Sequence, residues 1–320
     1  MSALHNPMLK EVQEATLTPA IGTEAVLCRG CGSRHVRSRG RLPDARVFAG
    51  THLDEALPGG TLYRCQDCEL VFRHPVFSKE TYDTLYQRAG AAIWDEQDRL
   101  DQALVRQMLE SLLAKGSILD IGCGTGSLLA PLSSHYQTYG IEINPGASAI
   151  AEARGVNIVA RDLDEIASLG KTFDAVVACD VIEHVFNPRE LVQRMLAQTA
   201  DNGFVIISTG NADAWSWALA GSRFWYCYLP EHISFVSPGW FKRQAAGLGA
   251  GIVKTTEFAY SPHYPLMGRT LRLALMGLFR VSPDFYYRLL PRIKRNNIPV
   301  GRGITRDHFI VVLRKLPQPH

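Results

Sequence analysis

Two carboxylates and an imidazole lie within five positions of each other in the segment ACDVIEHV, as Asp180, Glu183 and His184. The apolar run Phe173–Ala178 precedes them and is typical of a buried strand. Such a group could bind a metal ion, transfer a proton or form a solvated strand end. His184 titrates near neutrality and therefore suits a general base. His232, in the segment LPEHISF, is the second candidate base.

Four of the seven cysteines form two Cys-x-x-Cys pairs, one in CRGCGS and one in YRCQDCELVF. Each pair can direct two thiolates to one point, and two pairs make the four-sulfur site that Zn²⁺ prefers. A redox dithiol needs no second copy, so the duplication favours structural zinc in a zinc-ribbon-like module over residues 25–76. The predicted zinc ligands are Cys28, Cys31, Cys65 and Cys68. We expect residues 1–24 to form a flexible tail.

The segment SILDIGCGTGSLLAPLSS combines a short buried strand, Ile118–Ile121, with a G-x-G-x-G turn. We expect Ser127–Leu132 to open a helix. Glycines let the backbone approach a ligand, and a helix start offers free N–H groups. The next strand, TYGIEIN, ends in Glu142, where a carboxylate can bind a ribose diol. The third glycine comes one residue earlier than in the dinucleotide fingerprint, which argues against NAD.

Strand and helix patterns alternate along the rest of the chain, after a helical linker over residues 77–116. This alternation predicts an α/β fold with a doubly wound, Rossmann-like sheet. The further predicted strands are NIVA, FDAVVAC, GFVIIST, GIVKTTEFAY and DHFIVVLRK. Ligands of an open parallel sheet lie beyond the carboxyl ends of its strands, so we expect Asp180 and its neighbours to lie beside the glycine turn.

Four motifs in order, LDIGCGTG, GIEIN, ARDLDEI and FDAVVACDVIEHVFNP, resemble those of class I S-adenosylmethionine-dependent methyltransferases. The resemblance covers about Ser117 to Leu313 and implies a seven-stranded sheet whose last strand is antiparallel, between the sixth and the fifth. The implied domain spans 117–316, with insertions at about 209–237 and 261–302. DVIEHVFNP and LPEHISFVSPGWF are most similar to the branch that methylates ubiquinone precursors, sugars and other small molecules. The N-terminal zinc-ribbon-like module is similar to that of bacterial sugar, polysaccharide and secondary-metabolite methyltransferases.

The resemblance implies a role for each cofactor-binding residue. Asp120 and the glycine turn should hold the methionine end of S-adenosylmethionine, and Glu142 should bind the ribose hydroxyls. Asp162 should bind the adenine amino group, with Leu163 beside the ring, although Asp162 also suits a helix N-cap. The predicted set is Asp120, Gly122, Cys123, Gly124, Gly126, Glu142, Ile143, Asp162, Leu163 and Asp180.

Methyl transfer from a sulfonium is an in-line displacement, and much of its rate can come from positioning. A hydroxyl nucleophile must also lose its proton, which requires a base or a metal. The predicted catalytic residues are His184, His232, Glu183 and Asp180. In some similar O-methyltransferases an acid-x-x-Glu-His set binds a divalent cation, and Asp180, Glu183 and His184 match that spacing. We favour base or positioning use, then a structural role, then the divalent cation.

The two insertions could form the acceptor site. The first is rich in aromatic residues, which could stack on a sugar or aromatic acceptor or cover the sheet edge as a hydrophobic lid. The second has helical Leu and Met spacing over residues 264–295. Residues 261–306 carry nine Lys or Arg against one acidic residue. This segment could hold a phosphate of the acceptor, rest on an anionic membrane, or be a solvated helix face.

The expected function is methylation of a small molecule or glycan, at oxygen rather than at carbon or nitrogen. An RNA methyltransferase that grips RNA with the zinc module is the second hypothesis. The chain lacks the Asn/Asp-Pro-Pro-aromatic and Pro-Cys motifs of base methylation, which disfavours nucleic acid. A non-catalytic zinc-dependent binding protein is the third. The N-terminus has no secretory-type apolar segment and no run reaches the ~18 apolar residues of a membrane span, so we expect a cytoplasmic protein.

Overall fold

The computed structural model describes residues 25–90, 99–260, 266–290 and 305–316. The N-terminal part consists of short antiparallel strands. They are β1 (Val36–Arg41), β2 (Ala45–Phe48), β3 (Thr51–Leu57), β4 (Thr61–Cys65) and β5 (Val71–His74). Strand β4 pairs with both β1 and β5, while β2 and β3 form a separate hairpin. One cysteine pair precedes β1 and the other begins at the end of β4, so the sheet brings the two pairs together.

Two helices, α1 (Lys79–Arg88) and α2 (Leu100–Leu112), connect this part to the large sheet. The hydroxyl of Ser78 accepts a hydrogen bond from the N–H of Thr81 and caps α1. Such a cap satisfies one of the free N–H groups at a helix start. Both lie within the helical linker predicted over residues 77–116, of which residues 91–98 lie outside the described residues.

The large sheet contains seven strands and confirms the predicted fold class. Its strands are β6 (Ser117–Ile121), β7 (Gln137–Ile141), β8 (Asn157–Ala160), β9 (Phe173–Cys179), β10 (Thr199–Gly210), β12 (Ala250–Phe258) and β13 (His308–Lys315). Their order is β12-β13-β10-β9-β6-β7-β8. Strand β13 is antiparallel to both β10 and β12, whereas β6 to β10 pair in parallel. The last strand therefore lies between the fifth and sixth strands of the sheet, as predicted.

Helices lie between these strands along the chain. They are α3 (Pro145–Ala153), α4 (Pro188–Ala197), α5 (Trp215–Ala220), α6 (Pro238–Gln244), α7 (Leu266–Val281) and α8 (Pro283–Leu289). The side chains of Asn144, Asn187 and Ser237 each accept from an N–H of the helix that follows, and each is followed by a proline. Proline at the first helical position costs no hydrogen bond, because its missing N–H would have no partner there.

A two-residue strand, β11 (Ser234–Phe235), joins the N-terminal module to the large domain. It pairs with β5 in the registers Ser234 to Phe72 and Phe235 to Val71. The sheet of the module therefore has the order β1-β4-β5-β11, and its last strand comes from the insertion after β10. The segment that leads into this strand contains His232, so the module and the predicted site are in direct structural contact.

The helix predicted to begin at Ser127 is wrong, because the chain forms only a 3₁₀ turn at Ala130–Leu132. Pro131 has no N–H to donate to the carbonyl of Ser127 and disfavours helical backbone at the residue before it. The Ser127 carbonyl instead accepts a hydrogen bond from Nη1 of Arg106 at 3.3 Å. The N–H groups of Gly122 and Cys123 donate to the carbonyl of Ile141, so the glycine turn uses them within the protein.

Most aromatic residues of the first insertion are buried, which matches the hydrophobic-lid alternative. Trp217, Phe224, Trp225 and Tyr226 pack in one cluster that also includes side chains from β4 and α7. Tyr228 is half-buried, and Trp215 is exposed, with 55% of its surface accessible. Of the helices in the described ranges, none combines the length and the apolar character that crossing a membrane requires.

Candidate active site

A cavity of about 580 Å³ lies at the carboxyl ends of β6, β7, β8 and β9, with α1 on another side. Cavities of this size are typical of small-molecule sites. Eleven of the predicted site residues line it: Asp120, Gly122, Cys123, Gly124, Glu142, Ile143, Asp162, Leu163, Asp180, His184 and His232. Gly126 and Glu183 are not among the described residues that line it.

The glycine turn and Glu142 hold each other in place. Gly122 and Gly124 have φ angles of +70° and +54°, a region that glycine adopts without steric cost. The N–H of Gly124 donates to Oε2 of Glu142 at 2.8 Å, and the N–H of Asn144 donates to Oε1 at 2.8 Å. Each carboxylate oxygen can accept a further hydrogen bond, so Glu142 can still bind two hydroxyl groups of a ligand.

Among the described residues, three that line the cavity have a buried carboxylate oxygen without a hydrogen-bond partner, and two of these oxygens belong to aspartates, one in β6 and one just after β9. They are Oδ1 of Asp120 and Oδ1 of Asp180, and the Asp120 side chain is only 2% exposed. Burial raises the pKa of Asp120 well above its ordinary value. An unpaired buried acceptor costs about 1–3 kcal/mol, so a bound cationic donor such as an ammonium group would stabilise this end of the cavity.

Arg99 is a cavity residue that the sequence analysis missed. Its Nη2 donates to Oδ2 of Asp180 at 2.5 Å and to Oδ2 of Asp101 at 2.6 Å, while its Nε donates to Asp101 at 3.1 Å. Nε and Nη2 of Arg99 are thus engaged by the two aspartates, and its Nη1 can donate to the carboxylate of a ligand next to them. The only signal in the sequence is an Arg beside acidic residues at a helix start, which is common on protein surfaces.

Asp162 lies just after β8, and its carboxylate accepts two different hydrogen bonds. Its Oδ1 accepts from the N–H of Asp164 at 2.8 Å and caps the 3₁₀ helix Leu163–Ser168, as the alternative in the sequence analysis allowed. Its Oδ2 accepts from Nζ of Lys79 at 2.9 Å. Lys79 thereby ties α1 to this side of the cavity.

The two histidines lie side by side, with 4.8 Å between their ring centroids. Nδ1 of His232 is 2.9 Å from the carbonyl oxygen of Tyr226, and Nδ1 of His184 is 3.1 Å from that of Glu231 and 2.8 Å from the Tyr86 hydroxyl. A carbonyl can only accept, so the proton belongs on Nδ1 in both rings and Nε2 keeps its lone pair. Burial lowers the pKa of His184 to about 4 and that of His232 well below its ordinary value. Both rings are therefore neutral, as a general base must be.

Glu183 faces away from the cavity. Its carboxylate accepts hydrogen bonds from the Tyr226 hydroxyl and, at 2.9 Å, from the Thr209 hydroxyl, and the side chain is 1% exposed. Burial and the nearby charge of Asp180 raise its pKa to about 8. Glu183 thus supports the loop that carries His184 from behind and does not reach the cavity.

The predicted divalent-cation set is only partly brought together. One ligand atom each of Glu183, His184 and His232 lies within 4.8 Å of the others, whereas Asp180 pairs with Arg99. Both Glu183 oxygens already accept hydrogen bonds from neighbouring hydroxyls. The cation at Asp180, Glu183 and His184 stays a prediction.

Two further cavity residues, Glu231 and Tyr82, were not predicted. Oε1 of Glu231 accepts from the N–H of Ala49 at 3.2 Å, but its Oε2 is buried without a partner. The Tyr82 hydroxyl is also buried and has no hydrogen-bond partner in the part of the chain that the structure describes. Burial raises the pKa of Glu231 to about 7. The position of Glu231 directly before His232 could have identified it from the sequence. No sequence pattern distinguishes Tyr82.

The four predicted zinc ligands form one cluster. Sγ of Cys28 is 3.5 Å from Sγ of Cys68, Sγ of Cys31 is 3.6 Å from Sγ of Cys65, and all four atoms lie within 4.8 Å of one another. A zinc ion with Zn–S bonds of about 2.3 Å needs sulfur atoms slightly under 4 Å apart, so these residues fit the ion. None of the four lines the cavity, which agrees with a structural metal.

A family model described as "Methyltransferase domain" matches residues 93–255, just over half of the chain. Together with the sheet order and the glycine turn, this match shows that the chain belongs to the class I S-adenosylmethionine-dependent methyltransferases.

The chain is 32% identical over 164 residues to the ubiquinone biosynthesis O-methyltransferase of Azorhizobium caulinodans, which is 47% of this chain and 64% of the relative. It is 30% identical over 168 residues to the mitochondrial ubiquinone biosynthesis O-methyltransferase of Arabidopsis thaliana, which is 48% of this chain and 51% of the relative. The chain thus spans less than two thirds of the length of these relatives. The chain is also similar to the crystal structure of magnesium protoporphyrin IX methyltransferase from Synechocystis PCC 6803, with 14% identity and a TM-score of 0.45. The matched region is 68% of this chain and 83% of that protein.

Proposed function

We propose that the protein transfers the methyl group of S-adenosylmethionine to an oxygen of a small hydroxylated acceptor. The observation that carries the proposal is that four residues lining one cavity each have a buried polar atom without a partner among the described residues. These atoms are Oδ1 of Asp120, Oδ1 of Asp180, Oε2 of Glu231 and the Tyr82 hydroxyl. Buried polar groups are normally hydrogen-bonded, so four such atoms in one cavity indicate ligand sites.

The cofactor supplies an activated methyl group on a positively charged sulfur. The oxygens of Asp120 and Asp180 would accept from its ammonium group, and Arg99 would bind its carboxylate. Glu142 would accept from the ribose hydroxyls, since it keeps an acceptor site on each oxygen. These assignments follow the donors and acceptors that the cavity offers.

The acceptor would lie on the other side of the cavity, near His184, His232, Glu231 and Tyr82. His184 is the more exposed of the two imidazoles, so we assign the base to it, with His232 second. As the methyl carbon bonds to the acceptor oxygen and its bond to sulfur breaks, the acceptor proton moves to Nε2 of His184. General bases of this kind contribute typically 10²–10⁴-fold to the rate.

The acceptor class is a small molecule or a glycan with more than one hydroxyl group. Glu231 and Tyr82 support this choice, because each offers an unpartnered group that a second hydroxyl could satisfy. The names of the relatives support a ubiquinone-like phenol among small acceptors. A phosphate on the acceptor, membrane contact of residues 264–295 and a cytoplasmic location remain predictions.

The test uses S-adenosylmethionine with a labelled methyl group and a panel of catechols, other phenols and nucleotide-linked sugars. We expect label in at least one acceptor, a 10²-fold or greater loss of turnover in His184→Gln, and unchanged cofactor affinity by calorimetry. The matched control is His135→Gln, because His135 is exposed and does not line the cavity. Absence of cofactor binding in the wild-type protein would contradict the proposal.

A further inference from the structure

Arg73, on β5 of the N-terminal module, is a charged residue buried at the border of the two parts of the protein, with 2% of its surface exposed. Its guanidinium donates to the carbonyl oxygens of His232 at 3.2 Å, Cys227 at 2.7 Å and Leu229 at 3.1 Å. A fourth bond goes to the carbonyl of Gly59 at 2.8 Å. Three of the four acceptors thus belong to one short segment, residues 227–232.

This segment and the residue just before it carry the carbonyls that orient the two imidazoles. The carbonyl of Glu231 accepts from Nδ1 of His184, and the carbonyl of Tyr226, just before the segment, accepts from Nδ1 of His232. The segment ends where the backbone N–H of Arg73 donates to the carbonyl of Ile233 at 2.9 Å. A shift of residues 227–232 would therefore change the direction of both Nε2 atoms.

We infer that Arg73 is a positioning residue of the acceptor site: its guanidinium holds residues 227–232 so that His184, His232 and Glu231 face the acceptor. The inference rests on the proposed function for the identity of the reaction, but the geometry it describes does not depend on the acceptor. The N-terminal module then serves catalysis through one side chain, although its cysteines lie outside the cavity.

The chemistry of the side chain explains why arginine occupies this position. The planar guanidinium offers five N–H donors in a fixed arrangement, which lets it bond to carbonyls in several directions at once. A lysine has one nitrogen and cannot reach four diverging carbonyls. Among the described residues no carboxylate is hydrogen-bonded to Arg73, so four backbone carbonyls satisfy the guanidinium, and the nearby Glu231 carboxylate also favours its charged form. Removing the side chain would take this donor from the carbonyls of Gly59, Cys227 and His232, whereas the Leu229 carbonyl would keep its bond from the His232 N–H.

The test compares Arg73→Gln with Arg37→Gln, since Arg37 is an exposed arginine on β1 of the same module. The first measurement is nuclear magnetic resonance of protein with ¹⁵N-labelled histidine, in which His232→Gln and His184→Gln assign the Nδ1–H signals. We expect Arg73→Gln to lose or shift the Nδ1–H signals of both rings while S-adenosylhomocysteine binds as in the wild type. The Arg37→Gln spectrum should be unchanged.

The second measurement is the turnover with the acceptor found above. We expect kcat to fall at least tenfold in Arg73→Gln, with little change in the KM for the cofactor. If Arg73→Gln does not fold, Arg73→Lys is measured in the same way, because it keeps the charge but not the four hydrogen bonds. Unchanged Nδ1–H signals in a folded variant would overturn the inference. A loss of cofactor binding as large as the loss of turnover would also overturn it. The spectra give this answer even if no acceptor is methylated.

Discussion

Nη2 of Arg99 lies 2.5 Å from Oδ2 of Asp180 and joins the start of α2 to the end of β9 across the cavity. Asp180 has a φ angle of +53°, a left-handed conformation that costs a non-glycine residue about 1–2 kcal/mol. Its backbone N–H donates to the carbonyl of Ser208 at 2.9 Å, so the strained residue is held from both its backbone and its side chain. This arrangement leaves Oδ1 of Asp180 free for a ligand.

Arg99→Gln should weaken binding of S-adenosylhomocysteine at least tenfold, because the variant lacks the charged contact with the ligand carboxylate. The same variant should bind 5′-methylthioadenosine nearly as well as the wild type, since that molecule lacks the amino-acid end. Glu142→Gln should weaken both ligands through the ribose. Calorimetry with the two ligands measures these differences.

The control variant for Arg99→Gln is Arg88→Gln, because Arg88 is an exposed arginine in the last turn of α1. Equal losses for both ligands in Arg99→Gln would show that Arg99 supports the cavity as a whole and does not bind the carboxylate.

Gly122→Ala should destabilise the fold more than Gly155→Ala. Both positions have positive φ angles, +70° and +86°, so both substitutions carry backbone strain of about 1 kcal/mol. A Cβ at Gly122 would also lie 2.7 Å from Cγ2 of Val181, whereas nothing lies within 4 Å of a Cβ at Gly155. Thermal unfolding should therefore give a lower midpoint for Gly122→Ala, and cofactor affinity should fall in that variant alone. Equal midpoints for the two variants would contradict the steric argument.

Glu183→Gln should change how stability depends on pH. The folded pKa of Glu183 is about 8, against an ordinary value of 4.5, so the folded state holds a proton that the unfolded chain loses between these values. The free energy of unfolding of the wild type therefore falls as the pH rises from about 5 to 8, by at most ~1.4 kcal/mol per unit from this group. Glutamine does not titrate, so the free energy of unfolding of the variant should rise relative to that of the wild type as the pH rises.

Urea unfolding at pH 5, 6, 7 and 8 gives this difference, and Glu165→Gln is the control because Glu165 is exposed. A difference between wild type and Glu183→Gln that does not change with pH would mean that Glu183 is ionised in the folded protein.

The cysteine cluster should hold one zinc ion per chain, measurable by inductively coupled plasma mass spectrometry. Cys31→Ser should lose the metal, and removal of zinc by a chelator should lower the unfolding midpoint by several degrees, because small modules draw much of their stability from the metal. Cys227→Ala should keep the zinc, since Cys227 lies outside the cluster. A disulfide between any two of the four cysteines would rule out the four-thiolate site.

Local sequence patterns predict much of this protein. The alternation of strands and helices predicts the doubly wound sheet, and each Cys-x-x-Cys pair predicts two metal ligands, because each pattern depends on residues close in the chain. The glycine turn and Glu142 belong to the same group, since the turn needs positive φ angles and Glu142 lies at a strand tip.

Other features depend on contacts between distant parts of the chain. Glu183 lies three positions after Asp180, yet it faces the core because the Thr209 and Tyr226 hydroxyls bond to it there. Arg99 and Tyr82 reach the cavity only because the helices before the sheet pack beside it. The direction of a side chain is set by what packs around it, and for these residues the partners lie tens of positions away, where spacing in the sequence carries no signal.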